Sequence, residues 1–275
     1  MGSRGRGVKT LRGSKSVACA VLAGSTMLGE TPALGDPAPA TMPSAPSTSP
    51  APAVRGERIY RGTYYERGAP ASAPKVFWYE RWIKAEAGLL RSTHTHHTLG
   101  GRVVLRQSAL HAADYTLSGF ESDHRQTGAR VEASVLAPGR VRLQRTLGSD
   151  VETVVLEHEH PLVVGPTLYG TLLRHWDTLA AGRSVVVDYL SIERLDTYAF
   201  EIRRVSSDAT TTSFELEPHG FMLSLLVAPL RVVLLTKTRQ VLRYEGPSPV
   251  LLEAGGELDS FDARIEYSDW AAVFR

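Results

Sequence analysis

The sequence predicts an all-β protein: one large antiparallel sheet curled into a roll or half-barrel, carrying one short amphipathic helix. Three observations predict it. From residue 56 onward the chain is a succession of short runs rich in β-branched and aromatic residues, punctuated by Gly, Pro and Asp turn signals. Several of these runs alternate apolar and polar positions, as in Val141-Arg142-Leu143-Gln144, the pattern of a strand with one face on a core. About sixteen such runs are too many for a flat sheet, which would have to curl.

The chain begins with a different kind of segment. Residues 1–15 are basic, residues 16–28 (SVACAVLAGSTML) are apolar or small, and small residues follow at Ala33-Leu34-Gly35 and Ala38-Pro39-Ala40. This is the layout of a secretion signal over residues 1–35, with cleavage after Gly35 or Ala40. The apolar run is shorter than the about 20 residues a membrane span needs, so no transmembrane span is expected in the mature chain. Residues 36–55 form a Pro/Ala/Ser-rich linker; between residues 31 and 53 prolines stand at 32, 37, 39, 43, 46, 50 and 52, a composition that favours extended, unpacked chain. Residues 56–275 are then a single β-rich domain, and the expected location is the periplasm or the exterior.

Charge follows the same division. The whole chain has 31 basic and 29 acidic residues, a formal net charge of +2. Arg4, Arg6, Lys9, Arg12, Lys15 and Glu30 lie in residues 1–35, and without them 26 basic and 28 acidic residues remain. A domain so balanced has no electrostatic reason to bind nucleic acid. Cys19, the single cysteine, lies in the signal, so the domain has neither a disulfide nor a thiolate metal site.

Expected strands cover 58–66, 75–85, 89–99, 102–109, 115–122, 129–136, 140–147 and 151–157. Residues 166–179 break the rhythm: Leu168, Leu172 and Leu179, with Tyr169, Leu173 and Trp176, fall at helical spacing behind Pro166 and ahead of Gly182. This is the amphipathic helix, plugging or capping the sheet. Strands resume at 184–190, 197–205, 211–217, 221–228, 231–236, 240–244, 250–254 and 261–268.

Two groups of residues are candidate sites. His94 with His96, and His158 with His160, each share one face of a strand by two-residue periodicity. On facing strands the four imidazoles would hold a zinc or iron ion. The plainer account makes them strand-end residues, since spacing alone does not bring the clusters together. The second candidate is the nearly continuous apolar run 221–235, in which Phe221, Leu223 and Leu225 lie on one face. With Leu172 and Trp176 of the helix above them, these would line a ligand cavity; cover by the helix alone is the simpler explanation. No Gly-x-Ser-x-Gly elbow, phosphate loop or dinucleotide fingerprint occurs.

Tyr79-Glu80-Arg81-Trp82 ahead of Gly88-Leu89, the stretch Asp123-His124-Arg125-Gln126-Thr127-Gly128, and the run from Arg239 to Ser248 together resemble bacterial exported β-proteins of unknown function. The resemblance spans most of residues 57–268 and implies a long sheet wound into a roll. Proteins of this shape include periplasmic carriers of acyl chains; the resemblance implies no catalytic residues. The leading expectation is therefore a non-enzymatic envelope protein that binds an apolar or lipid ligand, or docks onto another envelope protein, without a cofactor. The alternatives are a metal-dependent enzyme built on the histidines and a structural protein with no pocket.

Overall fold

The structure is a computed structural model that describes residues 57–70, 72–219 and 229–271, all within one compact unit, 52–275. Phe221, Leu223 and Leu225 lie outside the described residues. In chain order the strands are β1 (Glu57–Glu66), β2 (Phe77–Glu86), β3 (Leu89–Thr98), β4 (Val103–His111), β5 (Leu117–His124), β6 (Ala129–Ala137), β7 (Arg140–Leu147), β8 (Asp150–Glu157) and β9 (Leu162–Val163). Two helices follow, α1 (Gly165–Arg174) and α2 (Trp176–Ala180). The remaining strands are β10 (Val185–Ser191), β11 (Asp196–Ser207), β12 (Thr211–Pro218), β13 (Leu230–Leu235), β14 (Val241–Pro247), β15 (Leu252–Ala254), β16 (Glu257–Asp259) and β17 (Asp262–Ser268).

Fifteen strands make one sheet, ordered β8-β7-β6-β5-β4-β3-β2-β1-β17-β14-β13-β12-β11-β10-β9. All pairings are antiparallel except that of β9 with β10. The chain starts mid-sheet at β1, meanders out to one edge, and returns from the other until β17 pairs with β1, Tyr64 opposite Ile265. Local turns set the register: Ala87 and Gly88, both at positive φ, join β2 to β3 in a two-residue hairpin whose twist matches the strands.

The two edges, β8 and β9, are separated in sequence by only residues 158–161. Four residues reach no more than about 18 Å between the flanking strands, so the sheet must roll until its edges approach. That connection is bonded to both halves: the His158 amide donates to the Gly139 carbonyl at 2.8 Å, and the Asp188 amide donates to the Pro161 carbonyl at 3.0 Å. Arg145 of β7 also donates to the Glu193 carbonyl, at 2.9 Å, in the turn after β10. β8 and β9 do not pair, so the roll stays open along that seam.

Rolling puts the core inside. Leu190 and Leu195 from one half pack with Phe120, Val141 and Leu143 from the other. α1 fills the interior: Pro166 to Leu172 are all buried, which makes it a plug enclosed on every side rather than a surface lid. Pro166 opens it, and the Thr167 hydroxyl both donates to the Val164 carbonyl and accepts from the Val164 amide, taking up groups the first turn leaves free. The expected single helix is interrupted at His175, whose backbone (φ −98°, ψ 12°) leaves the helical region before α2 begins. Among the described residues no helix is long and apolar enough to cross a membrane.

Candidate ligand-binding cavity

Two neighbouring rows of inward side chains run across the middle of the sheet. The register aligns Tyr267, Gly62, Tyr79, His96 and Leu105 in one row, from β17 through β4. The next row is Tyr60, Arg81, His94 and Gln107. Gly62 is required where it stands: a Cβ there would lie 2.1 Å from the Tyr79 ring, which crosses over it. Tyr79 thereby comes edge-on to Tyr60 at 6.1 Å and stacks on His96 at 4.9 Å.

These rows form one wall of a cavity of about 230 Å³. Tyr60, Tyr64, Tyr79, Tyr244, Tyr267, His94, His96 and Gln107 line it from the sheet, and Leu168, Tyr169 and Leu172 from α1. Val232, Val241 and Ile265 supply apolar wall from the second half of the sheet. The volume exceeds the about 150 Å³ of a cavity that takes benzene and falls below the roughly 300–1,000 Å³ of sites for drug-sized ligands. It suits one short chain or a small ring, not a two-chain lipid.

The polar groups of this wall are held in their neutral forms by burial. His96 is 2% exposed, and burial is the main reason its pKa is pushed down to about 3. Burial lowers His94 well below the ordinary range as well, with the neighbouring Arg81 charge adding to it. Tyr64 and Tyr79 are raised by the same desolvation. The His96 Nδ1 lies 2.8 Å from the Tyr64 hydroxyl, while its Nε2 is buried with no hydrogen-bond partner among the described residues.

Arg81, fully buried within the second row, bridges the sheet to α1 beside the cavity without lining it. Its Nη1 donates to the Pro166 carbonyl at 2.7 Å and faces His94 Nε2 at 3.4 Å, and its Nη2 donates to the Ser92 hydroxyl at 3.1 Å. Ser92 passes the chain to His111 Nε2 at 2.8 Å, and His111 Nδ1 donates to the Ala112 carbonyl at 2.7 Å. The guanidinium lies 5.8 Å from the ring centres of both Tyr60 and Tyr169, and it makes no ion pair among the described residues.

The expected site residues are thus distributed unevenly. His94 and His96 share the inner face and line the cavity, as does Leu172. His158 lines a separate recess with Leu162 and Thr171, and His160 sits on Asp188, whose carboxylate also accepts the Glu159 and His160 amides. That second pair anchors the connection between the sheet edges. Among the described residues no group of three or more His, Cys, Asp or Glu is arranged to hold a metal ion. Trp176 is 7% exposed but stands away from the cavity wall, edge-on to Phe214 at 5.5 Å and under the Arg239 guanidinium at 4.9 Å.

Tyr64 belongs to an early aromatic cluster, with Tyr60 and Tyr79, that the sequence offers as a grip for acyl chains or as cross-strand packing, whereas Arg81, Tyr267 and Gln107 were not anticipated as site residues. The signal for Arg81 was present: Phe77 and Tyr79 face inward on β2, and two-residue periodicity carries Arg81 inward with them.

Fold and site together define an open β-roll around a tyrosine-lined cavity. No family model matches the chain, and no curated protein matches it. Among solved structures the chain is similar to a β-barrel-like protein of a domain of unknown function from Brucella abortus. The identity is 12% and the TM-score 0.41, over 77% of this chain and 97% of the other.

Proposed function

We propose that the protein is an exported, non-enzymatic binding protein whose rolled sheet holds a small apolar ligand in the cell envelope. One observation carries the reading: the cavity between sheet and plug has apolar and tyrosine walls together with a few buried polar groups, the make-up of a small-molecule site. The N-terminal signal pattern supports the location. The volume narrows the ligand to one short chain or ring, and the structural alternative with no pocket is disfavoured by the same cavity. Release of ligand from protein purified out of producing cells, by organic extraction and mass spectrometry, tests the proposal. Recovery of a small apolar compound in stoichiometric amount is expected. A protein that yields none and binds no member of a panel of short-chain alcohols, acids and aromatics has no such function.

A further inference from the structure

We infer that the ligand carries a carboxylate, placed against His96 in the field of Arg81, so that the site selects a short single-chain carboxylic acid. This rests on the cavity reading above and adds the head group to it.

The first observation is the unpaired nitrogen of His96. A neutral imidazole has one N–H. A phenol O–H is a stronger donor than an imidazole N–H, and the imidazole nitrogen the stronger acceptor, so we assign Tyr64 as the donor to Nδ1 and the proton to Nε2, which is buried, partnerless among the described residues, and part of a cavity-lining side chain. An acceptor inside the cavity completes it. In the next row His94 turns its Nε2 to a guanidinium donor, so its neutral ring bears the proton on Nδ1.

Charge specifies which acceptor. Arg81 is cationic at all working pH, fully buried, and its polar partners among the described residues are the Pro166 carbonyl, the Ser92 and Tyr60 hydroxyls and the His94 imidazole, all neutral. Its field is weakly screened in such surroundings, and it favours a negative charge in the adjoining space over a neutral oxygen. Among the described residues lining the cavity the single acidic one is Glu193, which is exposed. The described lining therefore supplies no buried anion.

Calorimetric titration of the intact mature protein near neutral pH with octanoate, 1-octanol and methyl octanoate tests this. Octanoate is expected to bind roughly tenfold tighter than either neutral compound, as a charged acceptor on a buried donor does. His96→Leu should weaken octanoate by roughly tenfold and bring it within about threefold of 1-octanol, while His96→Gln, which keeps an N–H donor, recovers part of the preference. His97→Ala, on the outer face against Trp78, should leave all three unchanged. Equal binding of the three by the unmodified protein overturns the head-group inference and leaves the cavity reading standing. Binding of none overturns the cavity reading itself.

Discussion

Arg81 on β2 holds the first turn of α1 against the sheet, its Nη1 lying 2.7 Å from the carbonyl oxygen of Pro166. One turn further along α1 the Tyr169 hydroxyl donates to the Arg239 carbonyl at 3.0 Å. The plug is thus tied to β2 and to the turn between β13 and β14, which lie on opposite sides of β1 in the sheet. A helix tied at two points to opposite halves of the sheet keeps the cavity preformed, which lowers the conformational cost of binding.

Replacing Arg81 with Ala should therefore destabilise the domain by about 3 kcal/mol or more. The change strands the Pro166 carbonyl, Ser92 and His94 without their donor and leaves a void beneath two tyrosines. Urea denaturation reads the loss. A change below about 1 kcal/mol would show that the buried cation costs as much as its bonds return.

Gly170 makes a sharper case, because the usual rule predicts the wrong sign. Alanine in place of a helical glycine ordinarily stabilises by up to about 1 kcal/mol. Here a Cβ would lie 1.9 Å from Cδ1 and 2.2 Å from Cγ of Tyr115, too near the base of that side chain for it to swing clear. Tyr115 is itself held at φ 66° and stacked on His111 at 4.9 Å. Gly170→Ala should lower stability by about 2 kcal/mol, and Tyr115→Ala should cancel most of that in the double variant. Additive effects in that cycle would refute the contact.

Acid should unfold the domain early. His94 and His96 have pKa values lowered in the folded protein, His96 to about 3, with burial the largest cause. In the unfolded chain both titrate near the ordinary value of about 6.5. Below that pH the unfolded state takes up protons the folded state refuses, so stability is full above about 6.5 and declines toward about 3. The slope is at most about 1.4 kcal/mol per pH unit for each such histidine. His111 and His124 are lowered as well and add in the same direction. Denaturation midpoints between neutrality and pH 4 should fall steadily, and less steeply in His96→Leu; a flat profile would mean these rings are solvated.

The strands were legible because period-two alternation survives in a chain with one face on a core, and 140–147 was placed to the residue. The helix was legible from Pro166 and its leucines, but nothing in the sequence marks the break at His175. The pairing of β1 with β17 joins residues some two hundred positions apart, and no local pattern encodes that. β9 is two residues long and parallel, below any periodicity. The site was half legible. His94 and His96 stood out by type, whereas Arg81 and Trp82 sit on the faces opposite to their hydropathy, the arginine fully buried and the tryptophan 38% exposed. Where polarity and parity disagree, as on β2, parity decided the fold and polarity marked the site.

Gly62 offers a way to close the cavity from outside the lining. Valine there would meet the Tyr79 ring at the position where a Cβ already comes within 2.1 Å, and would have Ile265 Cγ2 at 3.0 Å on its other side. The ring has to move off the sheet. Gly62→Val should cut binding of any cavity ligand by more than roughly tenfold, since overpacking removes both volume and the Tyr79–His96 stack. Undiminished binding in a folded variant would place the ligand elsewhere.

Occupancy should be read by Trp270 rather than by Trp176, the helix residue the sequence favoured. The chain has four tryptophans. Trp78 stacks on His97 at 4.0 Å on the outer face, and Trp82 is partly exposed beside it on the same strand. Trp176 touches Phe214 and Arg239, neither of which lines the cavity. Trp270 alone rests on cavity wall, its ring 4.8 Å from Tyr60 and 5.9 Å from Tyr169. Ligand that displaces water against those two tyrosines changes the surroundings of the Trp270 indole and leaves the other three as they were. Saturation of the protein should therefore alter tryptophan emission, with the change lost in Trp270→Phe and kept in Trp176→Phe. A change that survives Trp270→Phe and disappears in Trp176→Phe would put the ligand on the far side of the plug, between α2 and β12, and would restore the helix to the role of a lid.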